Sequence, residues 1–422
     1  VKILPLFFLS VFFYPTYAYA YLDPGSGSIL LYLLISTLSA LAYSGKSWLR
    51  QLLFFLGLRE HKHSDIFYDL IFHIEGPQYW TTFAPILEDQ EGLDGLKILV
   101  LFYGEINLPK PCENITFANY KNEDQLIFAA NQAKGSVFVS TTPNLDVYML
   151  RRSKKVMHYS YIFHAPTDVA FYEKHALDSY DSVFCVGPFQ KKSIRKLESL
   201  RNLKEKTLFE SGCLYYDVFA KTKIHDNPVE NILYAPSWGQ RCSLKSFGIE
   251  LVHQLNELPM PVVLRPHPQL YISDKKFMLE VENAIDSLRN VTIDKKNSPL
   301  QAFASAALLI SDISGVIFDF AFLKRRPTLL LDTKMDLEFY EAGDLDEIWD
   351  LLIRPEIGKV VGPTELKNIP RYIDELLDSG SEEKISKILK RDIYNFSSAS
   401  PVVVKQLQFL VKSLNQKTSS RE

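Results

Sequence analysis

The chain has 422 residues, of which 47% are hydrophobic and 23% charged. At roughly 150 residues per domain this predicts two domains and an appendage, with ample apolar material for a core, which excludes a globally disordered chain. The net charge of −3 lacks the basic excess of a nucleic-acid binder, and the four cysteines form no CxxC pair, so zinc-ribbon and thioredoxin-type chemistry are excluded.

The predicted elements begin with residues 1–20, where Lys2 precedes an apolar run ending Ala18-Tyr19-Ala20. This is a signal-like or first membrane segment. Residues 25–60 follow as a membrane helix and an interfacial stretch: Gly25 to Ser44 is nearly free of charge, and Lys46, Arg50, Arg59 and Lys62 come after it. Whether the first segment is cleaved or forms a hairpin with the second, the positive-inside rule puts residue 46 onward in the cytoplasm. The competing expectation is a cleaved signal on a secreted protein, with 28–43 as a buried helix.

From about residue 65 the chain alternates strands and helices. Apolar runs at 96–103, 136–142, 154–164 and 181–187 read as buried parallel strands, with a helix over 188–203. A second set places strands at 231–236, 261–266, 291–294, 307–312 and 327–332, separated by helices at 248–258, 276–288 and 300–306. Such βαβ alternation predicts an α/β fold of two Rossmann-like domains, 65–225 and 228–385, joined near 221–230. A C-terminal helix and tail, 386–422, completes the chain, its last dozen residues expected to fray. Ligands of such domains bind outside the carboxyl ends of the strands.

Three polar clusters fall at those ends. His164 closes the third strand, in Tyr161-Ile-Phe-His-Ala-Pro-Thr167. An imidazole titrating near pH 6.5 suits a general base, although a lone histidine is more often a satisfied core residue. Arg265-Pro-His267-Pro follows another strand. The planar guanidinium fork suits phosphate oxygens, His267 adds a donor, and the prolines stiffen the loop; a structural ion pair is the equal alternative. Ser311-Asp312-Ile-Ser314-Gly315 joins a strand to an apolar helix. Ser314 there is a good N-cap, Gly315 permits close backbone approach, and the helix start offers N–H groups to an anion. Ser237, in Tyr234-Ala-Pro-Ser-Trp-Gly239, and the Gly187-Pro188 turn are weaker candidates. GxGxxG, the P-loop and HExxH are all absent, so no nicotinamide, P-loop nucleotide or metal site is indicated, and no cofactor is called for.

Together, HAPTDVAFYEKHALDSYDSVFCVGPFQKKSIRK, ILYAPSW, LRPHP and SDISGVIFDFAF resemble, in order, the CDP-glycerol glycerophosphotransferase family, over about residues 135–345. The chain departs from the family's usual pattern at Ala165 and at Gly315, where a second serine is common. The resemblance implies a GT-B-like fold with the donor nucleotide in the interdomain cleft. It implies transfer of glycerol phosphate, or a related polyol phosphate, from a CDP-activated donor to a lipid-linked or glycan acceptor, with release of CMP, as in teichoic-acid synthesis. His164 and His267 match its catalytic positions, with His164 as base. Arg265 matches its donor-phosphate element and Ser311, Asp312 and Ser314 its strand-to-helix segment beside the donor, with Gly315 and Ser237 as further candidates for nucleotide binding. The implied place of work is the inner face of the cytoplasmic membrane, where CDP-activated donors are found. Two other expectations compete: a UDP-sugar glycosyltransferase or 2-epimerase of the same build, and a non-catalytic membrane-tethered scaffold.

Overall fold

A computed structural model describes residues 65–221, 231–295, 300–333 and 337–419. The segments 1–20 and 25–60 and the 221–230 linker, apart from Lys221 at a helix end, lie outside the described residues. Among the described residues no helix is long and apolar enough to cross a membrane.

Two parallel sheets organise the chain. The first holds β1 (Tyr68–Ile74), β2 (Ile98–Tyr103), β3 (Ile115–Tyr120), β4 (Gly135–Ser140), β5 (Val156–Ile162), β6 (Ser182–Cys185) and β7 (Thr207–Glu210) in the order β3-β2-β1-β4-β5-β6-β7. The second holds β8 (Asn231–Tyr234), β9 (Val262–Leu264), β10 (Val291–Ile293), β11 (Ala306–Ser311), β12 (Thr328–Leu331) and β13 (Gly358–Val361) in the order β10-β9-β8-β11-β12-β13. Both are doubly wound sheets whose strand order reverses at one seam, β1/β4 in the first and β8/β11 in the second. Loops part at such a seam and leave a crevice at the carboxyl ends of the strands.

The central strands are apolar on both faces because helices cover both. β4 and β11 are buried throughout, and β2 through Phe102. Four strands, β1, β3, β7 and β13, lie outside the runs legible in sequence. β3, β7 and β13 are half-exposed edge strands, so one face need not be apolar and no continuous run marks them. The C-terminal helix, Ala399–Ser419, returns to the first sheet. Val403, Val404, Leu407 and Val411 share its core with Phe72, Val100 and Val139, and Ser136 Oγ donates to Asn415 at 3.0 Å. This packing keeps helical a tail that composition alone marks as frayed.

The segment Glu341–Asp350 leaves the second sheet and docks on the first domain. Arg201 binds Glu341 and Asp344, Lys174 binds Asp344, Lys192 binds Glu347 and Lys196 binds Asp346. Trp349 stacks on Phe189 with centroids 3.8 Å apart and 7° between planes. The backbone N–H of Asp168 donates to Asp350 Oδ2 at 2.9 Å. The exposed pairs add little each; the buried stack and hydrogen bond fix how the two carboxyl edges face.

Candidate active site

The first edge is built at the β1/β4 seam and on β5 beside it. His164 follows β5, and its Nδ1 lies 2.9 Å from Thr141 Oγ1 at the end of β4. The Tyr79 ring meets it edge-on, 4.9 Å between centroids. Burial without a compensating charge lowers the His164 pKa to about 4, so the ring is neutral at pH 7. Next to it Thr142 Oγ1 donates to Glu75 Oε2 at 2.8 Å. Glu75 stands one residue past β1, and burial, with Glu123 nearby, raises its carboxyl pKa. Sequence reading missed Glu75: a single carboxylate in His-Ile-Glu-Gly-Pro has no partner spaced along the chain, and only the sheet brings it to Thr142.

The second edge carries the cations. Arg265 follows β9, and its Nη1 binds Asp294 Oδ2 at 2.7 Å. Both readings of this residue therefore meet in one place: it is in an ion pair, and it stands at a strand end next to His267. His267 caps the helix Pro268–Ser273 by accepting the Gln269 N–H on Nδ1 at 3.1 Å. In a neutral ring that acceptor role leaves the proton on Nε2, which becomes a donor. Burial lowers the His267 pKa, and Asp312 partly offsets the shift. The exposed Trp238 ring lies 6.1 Å from it, tilted by 31°.

At the β8/β11 seam, Ser311 and Asp312 work inward. Ser311 Oγ donates to Ala235 O at 2.6 Å. Asp312 accepts the Ser237 N–H at 2.9 Å and the Ser243 N–H at 2.6 Å. Both side chains are fully buried. These two side chains hold the 235–243 loop carrying Ser237 and Trp238, because a buried carboxylate must spend its lone pairs on donors. The expected cap of the helix Val316–Lys324 is corrected. It is Gly315, with no side-chain bond, while Ser314 Oγ lies 3.4 Å from the Val316 N–H. Gly315 has an ordinary helical φ of −58°. A Cβ built there meets Thr167 Cγ2 at 3.5 Å, so this helix start abuts the loop that carries His164.

The candidate site thus gathers at the carboxyl ends of two doubly wound parallel sheets, with His164 past one and Arg265 and His267 past the other. Two solved structures share the fold. A variant of the wall teichoic acid polymerase TagF is 16% identical over 84% of this chain and 90% of that one, with a TM-score of 0.51. A form soaked with CDPG is 16% identical over 82% and 89%, with a TM-score of 0.50. A UDP-GlcNAc 2-epimerase from Methanocaldococcus jannaschii aligns at 13% identity over 77% and 99%, with a TM-score of 0.49. A comparison with curated proteins finds no match. Residues 167–352 match the family model CDP-Glycerol:Poly(glycerophosphate) glycerophosphotransferase. Arg265, His267 and Ser311–Gly315 fall inside the matched stretch; His164 lies three residues before it. Among the described residues no group of His, Cys, Asp and Glu is placed to hold a metal ion.

Proposed function

We propose that this enzyme moves glycerol phosphate, or a related polyol phosphate, from a CDP-activated donor to a hydroxyl of a membrane-linked or glycan acceptor during cell-envelope polymer synthesis. The acceptor oxygen attacks the phosphorus bearing the polyol, an O–P bond forms, and the P–O bond to CMP breaks. The hydroxyl proton passes to His164. Charge growing on the phosphoryl oxygens and on CMP is met by Arg265 and by the Nε2–H of His267, donors set before the reaction begins. The N–H groups at the Ser314–Gly315 helix start add partial positive charge. Trp238 offers a stacking face to the base.

The observation that carries this reading is the approach of Gly315 to Thr167, which sets the loop of the neutral histidine against a helix start of the other domain. The membrane part of the proposal rests on the apolar segments 25–60 and their basic flank. The experiment is CMP release by detergent-solubilised protein offered CDP-glycerol, CDP-ribitol or UDP-N-acetylglucosamine with a membrane lipid extract. Acceptor-dependent CMP from one CDP donor is expected. Turnover of the UDP-sugar alone would replace this function with a glycosyltransferase, and nucleotide binding with no product from any donor would replace it with a scaffold.

A further inference from the structure

The two edges meet at Thr167 and Gly315, and a buried carboxylate and a buried guanidinium join them a second time. Two short helices, Trp349–Leu352 and Arg354–Ile357, follow the docking segment. Asp350 and Arg354 stand four residues apart on them, and both are buried. Asp350 reaches the first domain, where its Oδ2 accepts the Asp168 N–H at 2.9 Å. Asp168 lies four residues after His164. The same loop is pinned on its other side: Ser193 Oγ donates to Asp168 Oδ2 at 2.6 Å, and Gln190 Nε2 donates to Thr167 O at 2.7 Å. Arg354 reaches the second domain, where its Nη2 lies 3.5 Å from Asp312 O.

Asp312 is thereby held twice. Its carboxylate takes the N–H groups of Ser237 and Ser243, and its carbonyl faces the guanidinium. Burial lowers the Arg354 pKa, and the charges of Asp350, Asp332 and Asp312 oppose that shift. The Nε of Arg354 has no hydrogen-bond partner among the described residues. A buried cation with an unused N–H costs free energy, and apolar side chains of similar size are often at least as stabilising as a buried ion pair. What the guanidinium supplies is position. It holds the backbone of the strand-to-helix turn while the carboxylate one helical turn away holds the backbone of the histidine loop.

We infer that Asp350 and Arg354 are positioning residues for the transfer, a bridge that fixes the His164 loop against the Ser311–Gly315 turn. This rests on the reaction proposed above. Neither residue touches the reacting atoms. Arg265 and His267 stand past a different strand, β9, so they bind the donor whether or not the bridge is made. The bridge therefore governs the chemical step and leaves donor affinity alone.

The test pairs kinetics with amide hydrogen exchange on the full chain in detergent. Arg354→Met keeps the length of the side chain and removes its charge and donors. It should lower kcat for CMP release from CDP-glycerol by about 10², the cost of a misplacement of about 1 Å, with the donor Kd unchanged by calorimetry. Arg354→Lys keeps a cation and a donor toward Asp312 O and should recover most of that loss. Asp350→Ala should lower kcat as Arg354→Met does, and it decides the matter if Arg354→Met does not fold. In both damaging variants exchange should quicken in 164–168 and in 311–315 together, while β4 and β8 keep their wild-type protection. An unchanged kcat, a weakened donor Kd with kcat intact, no recovery in Arg354→Lys, or exchange that quickens across the whole fold would overturn the inference. If the wild type releases no CMP from any CDP donor, the transfer reading fails instead, and the paired quickening of the two segments alone decides the bridge.

Discussion

The two sheets share one winding order and one kind of seam, yet their carboxyl edges have opposite chemistry. The first edge carries a neutral imidazole, threonine hydroxyls, aromatic rings and carboxylates. The second carries a guanidinium, an imidazole N–H donor and a helix start. The same topology therefore supplies the position of a site and leaves its chemistry to the few residues past each strand. A phosphoryl transfer needs both halves: a proton acceptor where charge is low, and fixed donors where negative charge grows.

The largest effect that sharpens this contrast is His164→Ala. Turnover should fall by about 10²–10⁴, the span of a general base, with CDP-glycerol affinity unchanged, as stopped-rate assays and calorimetry would show. Loss of donor binding instead would break the division of labour. Next comes Arg265→Ala, which removes a charge-assisted contact and leaves Asp294 without the Nη1 bond. Donor KM should rise about 10- to 100-fold, the range for hydrogen bonds to charged groups, while acceptor KM stays fixed.

A pH profile follows. Because burial lowers the His164 pKa to about 4, the imidazole proposed as base stays deprotonated down to that value. The acid limb of kcat/KM should therefore fall near pH 4, and a limb near 6.5 would mean a solvated histidine. The smallest effect is on stability. Asp319 is buried, with the Tyr216 hydroxyl 3.3 Å away, and burial raises its pKa from 3.8 to about 7. The folded state thus holds a proton that the unfolded chain has released. This stabilising contribution is full below pH 4 and is lost as pH rises through about 7. Asp319→Asn keeps the neutral form, so its Tm should gain on the wild type between pH 4 and 7. A constant difference would show that Asp319 does not titrate in that window.

Much of this was legible in sequence where signals are dense and local. The buried strands announce themselves as apolar runs, and Arg265-Pro-His267 compresses a cation, a donor and a rigid turn into three residues. His164 was found because it ends an aromatic strand. Glu75 was not, since its partner Thr142 reaches it only through the pairing of β1 with β4. The Glu341–Asp350 segment reads as an ordinary acidic surface loop until it meets Lys174, Lys192, Lys196 and Arg201. The two N–H groups that Asp312 accepts come from residues 75 and 69 positions away, a partnership that no local pattern announces.

The central claim is that donor and acceptor chemistry are divided between the two edges. Calorimetric titration of CDP-glycerol into His267→Ala and His164→Ala tests it most directly. The account predicts affinity weakened about tenfold or more in His267→Ala and unchanged in His164→Ala. Weakening in His164→Ala with none in His267→Ala would contradict it.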